Sequence, residues 1–380
     1  MKTTQLLIVL ALSLLLAGSA GAQSQSAVPY GFTQHLNAAQ MGMGGLTTTV
    51  ATNAHTVIYN PGMLTRQPFA FEITIPIGID MTVTDMAQFV NDNSDKFNDF
   101  QGLPEEEQSQ FMQDSQEFDN KWFGVNLGPF VGLSFKNFGI AAYSIISPDV
   151  KLDQGVLVPS VGMRGYGDVV VAVGFGKTFE IAGRDIGIGL AGRFLNRMEL
   201  QPQRISASDM GNTADIITQF MDDAADPISG MSVDLGAVHT IEIGEPGSDN
   251  NLDVAMVIQD LYGTIDGESL TPNLKAGAMY HMPFAGNPLL RRWDLGIEFV
   301  DLFNREGNSF YQRINMGTEI SVLAGLLSVR GGFHQGYPTF GAGLRLAVVK
   351  IDVAKFTREM GTAPGQDPSD FYFMQFSFGW

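Results

Sequence analysis

Phe371-Tyr-Phe-Met-Gln-Phe-Ser-Phe-Gly-Trp380, the last ten residues, alternate with period two. Tyr372, Met374, Phe376, Phe378 and Trp380 share one face, and that face is wholly apolar. Phe371, Phe373, Gln375, Ser377 and Gly379 share the other, which turns polar towards its end. Successive side chains of a strand point to opposite sides of a sheet, so one side of this strand has to meet an apolar medium.

The medium is indicated at the other terminus. Met1-Lys2, an apolar core from Leu6 to Leu16 and Ala20-Gly21-Ala22 have the layout of a secretory signal peptide over residues 1–22, cut before Gln23. That core is too short to span a bilayer, and no later stretch approaches 18 uninterrupted apolar residues. An exported chain without spanning helices and with an apolar strand face points to a closed β-barrel in a bacterial outer membrane.

Composition agrees. Only 16% of the residues are charged, and 44 of 380 are glycine, which suits tightly packed strands with one face in lipid. The 40 acidic against 22 basic side chains exclude nucleic acid as a partner. Without cysteine there are no disulfides and no thiolate metal sites. The five histidines show no metal-ligand spacing, and no G-x-S-x-G elbow occurs, so neither an enzyme nor a bound cofactor or metal is expected.

Alternation recurs through the rest of the chain. Val169, Val171, Val173 and Phe175 form one apolar face, and Trp293, Leu295, Ile297 and Phe299 another. The pattern predicts fourteen antiparallel strands within a barrel domain at 68–380, near 68–83, 122–135, 138–147, 166–179, 186–200, 229–243, 251–260, 272–282, 292–303, 313–322, 326–334, 338–347, 349–358 and 370–380. Residues 156–163 offer a further strand inside a loop. With this count most long connections fall on one side and all the short ones on the other, as outer-membrane barrels require.

Two of the long loops carry apolar residues at helical spacing. Met86, Phe89, Val90, Phe97 and Phe100 form one set, and Met210, Ile216, Ile217, Phe220 and Met221 the other. Such faces either pack on the barrel rim or form an apolar entry groove. In the predicted register Arg193, Lys275, Glu298, Arg313, Glu319, Arg330, Arg345 and Asp352 point inward, together with Asp168, Asp234, Asp294 and Lys350. Their signs are mixed. That suits mutual pairing and disfavours an ion-selective pore, which needs a ring of one sign.

Residues 23–67 are too long for a lead-in and too glycine-rich for a helical domain, which suggests a plug in the lumen. Within them, Asn37-Ala-Ala-Gln-Met-Gly-Met-Gly-Gly-Leu46 and Ala51-Thr-Asn-Ala-His-Thr-Val-Ile-Tyr-Asn-Pro-Gly-Met-Leu64 resemble the outer-membrane transporters for long-chain fatty acids and aromatic hydrocarbons. Type IX secretion shuttle barrels are similar over the same segment. The resemblance implies an all-β, fourteen-stranded transmembrane barrel whose N-terminal hatch includes Gly42, Gly44, Gly45, Asn60, Pro61 and Gly62. Asn60 and Pro61 fall on the family's Asn-Pro, and Gly62 replaces its alanine. It further implies passive uptake of a hydrophobic small molecule. The expected partners are outer-membrane lipid, that ligand and, through the C-terminal strand, the barrel-assembly machinery. A secretion shuttle or scaffold that binds an exported protein is the alternative.

Overall fold

A computed structural model describes residues 35, 37–50, 53–93, 95–96, 99–116, 118–119, 122–153, 160–206, 227–244, 250–287, 289–305, 307–359, 364–365 and 368–379. The expected signal peptide, the second apolar loop set, Phe97 and Trp380 lie outside these residues.

The strands are β1 Phe69–Asp80, β2 in two pieces (Trp122–Leu127 and Phe130–Phe135), β3 Phe138–Asp153, β4 Ser160–Ile181, β5 Arg184–Ser206, β6 Ile228–Glu242 and β7 Asn251–Ile265. They continue as β8 Asn273–Pro283, β9 Leu290–Phe299, β10 Ile314–Val322, β11 Leu327–His334, β12 Tyr337–Leu346, β13 Val349–Glu359 and β14 Pro368–Gly379. Each pairs antiparallel with its neighbours in sequence, and a two-residue arm, Glu268–Ser269, folds back on β7. β14 then pairs with β1 from Glu72↔Gly379 to Asp80↔Phe371. The result is an all-β, fourteen-stranded closed barrel of the outer-membrane type. Among the described residues no helix is long and apolar enough to cross a membrane.

The terminal strand has the two faces read from its sequence. Tyr372, Met374, Phe376 and Phe378 are 45–46% exposed, whereas Phe371, Phe373, Gln375 and Ser377 are buried in the barrel. Val169, Val171, Val173 and Phe175 on β4, and Phe340 on β12, also face outward. An exterior of large exposed apolar side chains needs lipid around it.

One end of the barrel has short turns at 136–137, 182–183 and 347–348. Positive φ at Asn137 (70°), at Ala182 (54°) with Gly183 (73°) and at Ala347 (52°) gives the tight reversals that match strand twist. The other end carries the long connections. Between β1 and β2 it holds α3 Met81–Asp92 and α4 Glu105–Asp114. Helices α1 Ala38–Gly42 and α2 Thr56–Tyr59 precede the barrel.

Three details depart from the expected register. β3, β4 and β5 extend further towards the loop end, so Ser160–Met163 belong to β4 and form no separate strand. At 16, 22 and 23 residues they are longer than the roughly 9–11 residues a strand needs to span a bilayer, so strict alternation is not required along their whole length. β2 breaks at Gly128-Pro129, opposite Pro76 of β1, and a proline offers the ladder no N–H. Arg313 precedes β10, at the end of the 3₁₀ turn Phe310–Arg313, and donates to the Asp301 carbonyl at 3.2 Å instead of lining a strand face.

Deleting residues 371–380 leaves β1 and β13 with open edges, so heat-modifiable migration on a gel is expected to vanish. Met374→Arg places a charge in the lipid belt at a cost of about 2–4 kcal/mol near the midplane. Arg345→Leu, at an exposed position on the inward side near the turn end, is expected to cost less than about 0.5 kcal/mol. A vesicle unfolding titration measures both.

Candidate functional site

Residues 37–50 and 53–66 run across the interior and touch the inward faces of strands all round the barrel. The first half, residues 38–50, lies against β8–β14. Ala38 N donates to Gln375 Oε1 of β14 at 3.0 Å, and Gly44 N donates to Thr339 Oγ1 of β12 at 3.0 Å. Gly42 sits so close to the wall that a Cβ on it would lie 2.9 Å from Gly341 Cα. Gly44 and Gly45 adopt φ of 73° and 77°, and Asn315 of β10 donates to the Gly45 carbonyl at 3.4 Å. Gly44 combines a left-handed turn with close approach to the Met316 and Phe333 backbone, and only glycine meets both demands.

Glu298 of β9 holds the next two residues. Its fully buried carboxylate accepts from Thr47 N and Thr48 N at 2.7 Å each, from Thr47 Oγ1 at 2.8 Å and from Thr48 Oγ1 at 2.9 Å. Charge-assisted bonds of this kind are about twice as strong as neutral ones.

The second half, residues 53–66, lies against β1–β7. His55 Nδ1 meets Glu72 Oε2 of β1 at 3.1 Å, and Arg66 donates to Asp253 of β7 at 2.7 Å. Asn60 caps the turn Pro61–Arg66, its Oδ1 accepting from Gly62 N at 3.0 Å. Its Nδ2 donates to the Thr48 carbonyl at 2.8 Å, which joins the two motifs of the segment. Pro61 and Gly62 pack on backbone at Gly189 of β5 and Gly236 of β6. The glycines inside these wall strands are therefore seats for the segment.

The wall charges form networks. On the loop side of the segment, buried Arg193 pairs with Asp234 at 2.7 Å and Asp260 at 2.8 Å, and Arg197 pairs with Asp168 at 2.7 Å. Between these pairs the wall is apolar and aromatic, with Tyr143, Ile145, Tyr166, Leu195, Ile265 and Leu270 in one cluster with Ile58 and Tyr59. On the turn side, Arg330 bridges Glu319 (2.5 Å) and Asp352 (2.7 Å), while His281 meets Asp294 at 2.7 Å and Asp253 at 3.3 Å. Arg330, Glu319, Asp352, His281 and Asp294, with Asn37, Gln40, Thr49, Asn53 and His55 of the segment, line a cavity of about 220 Å³. Lys275 is buried within β8.

Of the loop residues, Met86 and Phe100 are buried and Phe89 is half-buried. Phe89 lies 5.4 Å from both Phe111 and Phe118, and Phe100 lies 5.5 Å from Phe111, centroid to centroid. Val90 belongs to α3, but its side chain is outside the described residues. Helical spacing announced this cluster, yet rings that fill one another's gaps give the same spacing as a groove. Sequence reading missed Thr47, Thr48, Thr339 and Gln375. The available signal was a polar residue inside an apolar strand, as at Gln375. Among the described residues no three His, Cys, Asp or Glu side chains group to hold a metal ion.

No protein-family model matches the chain, and no curated protein matches it. Solved structures of similar outline include the toluene transporter TodX of Pseudomonas putida (11% identity, 91% of this chain and 98% of that one, TM-score 0.43). Another is the toluene transporter TbuX of Ralstonia pickettii (9%, 91% and 98%, TM-score 0.42). CdiB from Acinetobacter baumannii is 8% identical over 83% of this chain, which spans 60% of that one, with a TM-score of 0.37. At such values the likeness carries no argument, and the class stands on the strand pairing and the two faces: an outer-membrane-type β-barrel.

Two predictions follow the contacts. Glu298→Ala strands four donors, each costing about 1–3 kcal/mol when left buried and unpaired. The expected result is faster proteolysis within residues 38–50 in a barrel that still shows heat-modifiable migration, with Glu298→Gln intermediate. The second concerns His35, whose ring lies near His55, Phe130 and Tyr143 and whose Nε2 meets the Gly128 carbonyl at 2.6 Å. Burial first, and then the His55 charge, lower its pKa from 6.5 to about 3, against the opposing pull of Glu72. A lowered folded value means that the neutral ring's contribution is present above pH 6.5 and is lost as pH falls towards 3. Between pH 6.5 and 5, protease sensitivity of the segment is expected to rise in the wild type and to stay flat in His35→Gln.

Proposed function

We propose that the protein resides in the bacterial outer membrane and admits hydrophobic small molecules passively, with residues 23–67 as a displaceable hatch. The supporting observation is the unequal lining of the lumen. Towards the loops the wall is apolar and aromatic, and its arginines are neutralised by carboxylates. Towards the turns it is charged, with both signs paired. A solute from outside meets apolar surface first, then a segment held by hydrogen bonds that can be exchanged. The aromatic cluster above β1 and β2 would form the rim of that entrance, and the C-terminal strand would be read by the assembly machinery.

The test is uptake into proteoliposomes of a labelled aromatic hydrocarbon, a long-chain fatty acid and a hydrophilic dye of similar mass. The wild type is expected to admit one or both hydrophobic probes at least tenfold faster than the dye. Deleting residues 38–57 should keep heat-modifiable migration and erase that preference by letting the dye through. Equal rates for all probes in the wild type refute the reading, and capture of a single exported protein would favour the shuttle.

A further inference from the structure

We infer that the hatch is two bodies, one seated on each side of the barrel, and that it opens along the seam between them. The inference rests on the hatch reading above and adds how the hatch moves.

Three observations carry it. The polar anchors divide by sector: Gln375, Thr339 and Glu298, on β14, β12 and β9, hold residues 38–50, whereas Glu72 and Asp253, on β1 and β7, hold residues 53–66. The apolar packing divides in the same way. Ala38 and Met41 cluster with Phe356, Phe371 and Phe373, and Met43 and Leu46 with Met279. Val57, Ile58, Tyr59 and Leu64 cluster instead with β2–β7, and Met63 with Val238 and Ala255. Among the described residues no apolar cluster contains members of both halves. Finally, the cavity of about 220 Å³ lies between them, with Gln40 and Thr49 on one side and Asn53 and His55 on the other.

Each half is thus joined to its own wall by charge-assisted bonds and close packing, while part of the boundary between the halves is open cavity. The described bond that spans the seam is Asn60 Nδ2 to the Thr48 carbonyl, a neutral pair. His35 lies on the second side although it precedes the first half, bonded through its ring to Gly128 and through its carbonyl to the Tyr59 hydroxyl. It acts as a strap on the second body. Neutral bonds yield before charged ones, so the seam parts before either seat does. Its turn-side mouth is polar, so ions follow any opening.

The absence of cysteine allows a clean test. Val57→Cys with Gly139→Cys locks the second body to β3, where the two Cβ positions lie 3.1 Å apart. Leu46→Cys with Gly296→Cys locks the first body to β9, where a Cβ at 296 lies 2.6 Å from Leu46 Cδ1. The first pair is close to the Cβ separation of about 3.5–4.5 Å that a disulfide needs, and in the second a sulfur replaces the leucine side chain that reaches residue 296. The readout is ion conductance in planar bilayers, which needs no hydrophobic substrate. Reduction in the same chamber must restore wild-type currents, which shows that each variant folds. Either single lock is expected to leave conducting events at wild-type frequency, both together to cut them at least tenfold, and Asn60→Ala to raise them several-fold. A single lock that silences the barrel as fully as the double lock would mean that the hatch moves as one body. A double lock without effect would mean that no seam opens. Either result overturns the inference. If conductance follows the expected pattern while no hydrophobic probe enters, the two-body gate stands and the uptake reading falls.

Discussion

A peptide group in hydrocarbon has no partner except another peptide group. That constraint shapes the whole molecule. Thirteen successive antiparallel pairings leave two open edges, and the pairing of β14 with β1 removes both. Closure also creates an interior, where buried polar groups must find partners without help from lipid. The luminal charges meet that demand in pairs and short chains, Arg197 with Asp168 and Arg330 between Glu319 and Asp352.

The interior is filled by the chain's own N-terminal part, and the filling is mostly backbone. Wall strands and hatch both present glycine where they meet, at Gly341 with Gly42 and at Gly236 with Gly62. Peptide units of the hatch can then come within bonding reach of wall side chains such as Glu298, Thr339 and Gln375. Contact without bulky side chains is close but shallow, which suits the displacement proposed for this segment.

Most of the barrel was legible in the sequence because lipid imposes one rule on every strand. An apolar residue at each second position is required wherever the exterior is hydrocarbon, and Tyr372, Met374, Phe376 and Phe378 show it without interruption. Legibility fails where the rule lapses. β3, β4 and β5 run longer than the roughly 9–11 residues a bilayer requires, so the extent of their outer ends was not readable. Arg313 sits before its strand because a 3₁₀ turn replaces the first pairs. In the candidate site the glycines and the Asn60-Pro61 pair announced a special backbone. Their partners did not, since Glu298 meets Thr47 across 251 positions and Gln375 meets Ala38 across 337. No local pattern encodes such a pairing.

The bond between Ala38 and Gln375 also bears on time. Gln375 belongs to the last of the barrel's strands in chain order, and Ala38 lies ahead of the first. The seat of the hatch is therefore incomplete until the final strand is in place. A chain halted before β14 would lack both the wall's last seam and one anchor of its plug. In this fold, sealing the barrel and seating its N-terminal segment are finished by the same strand.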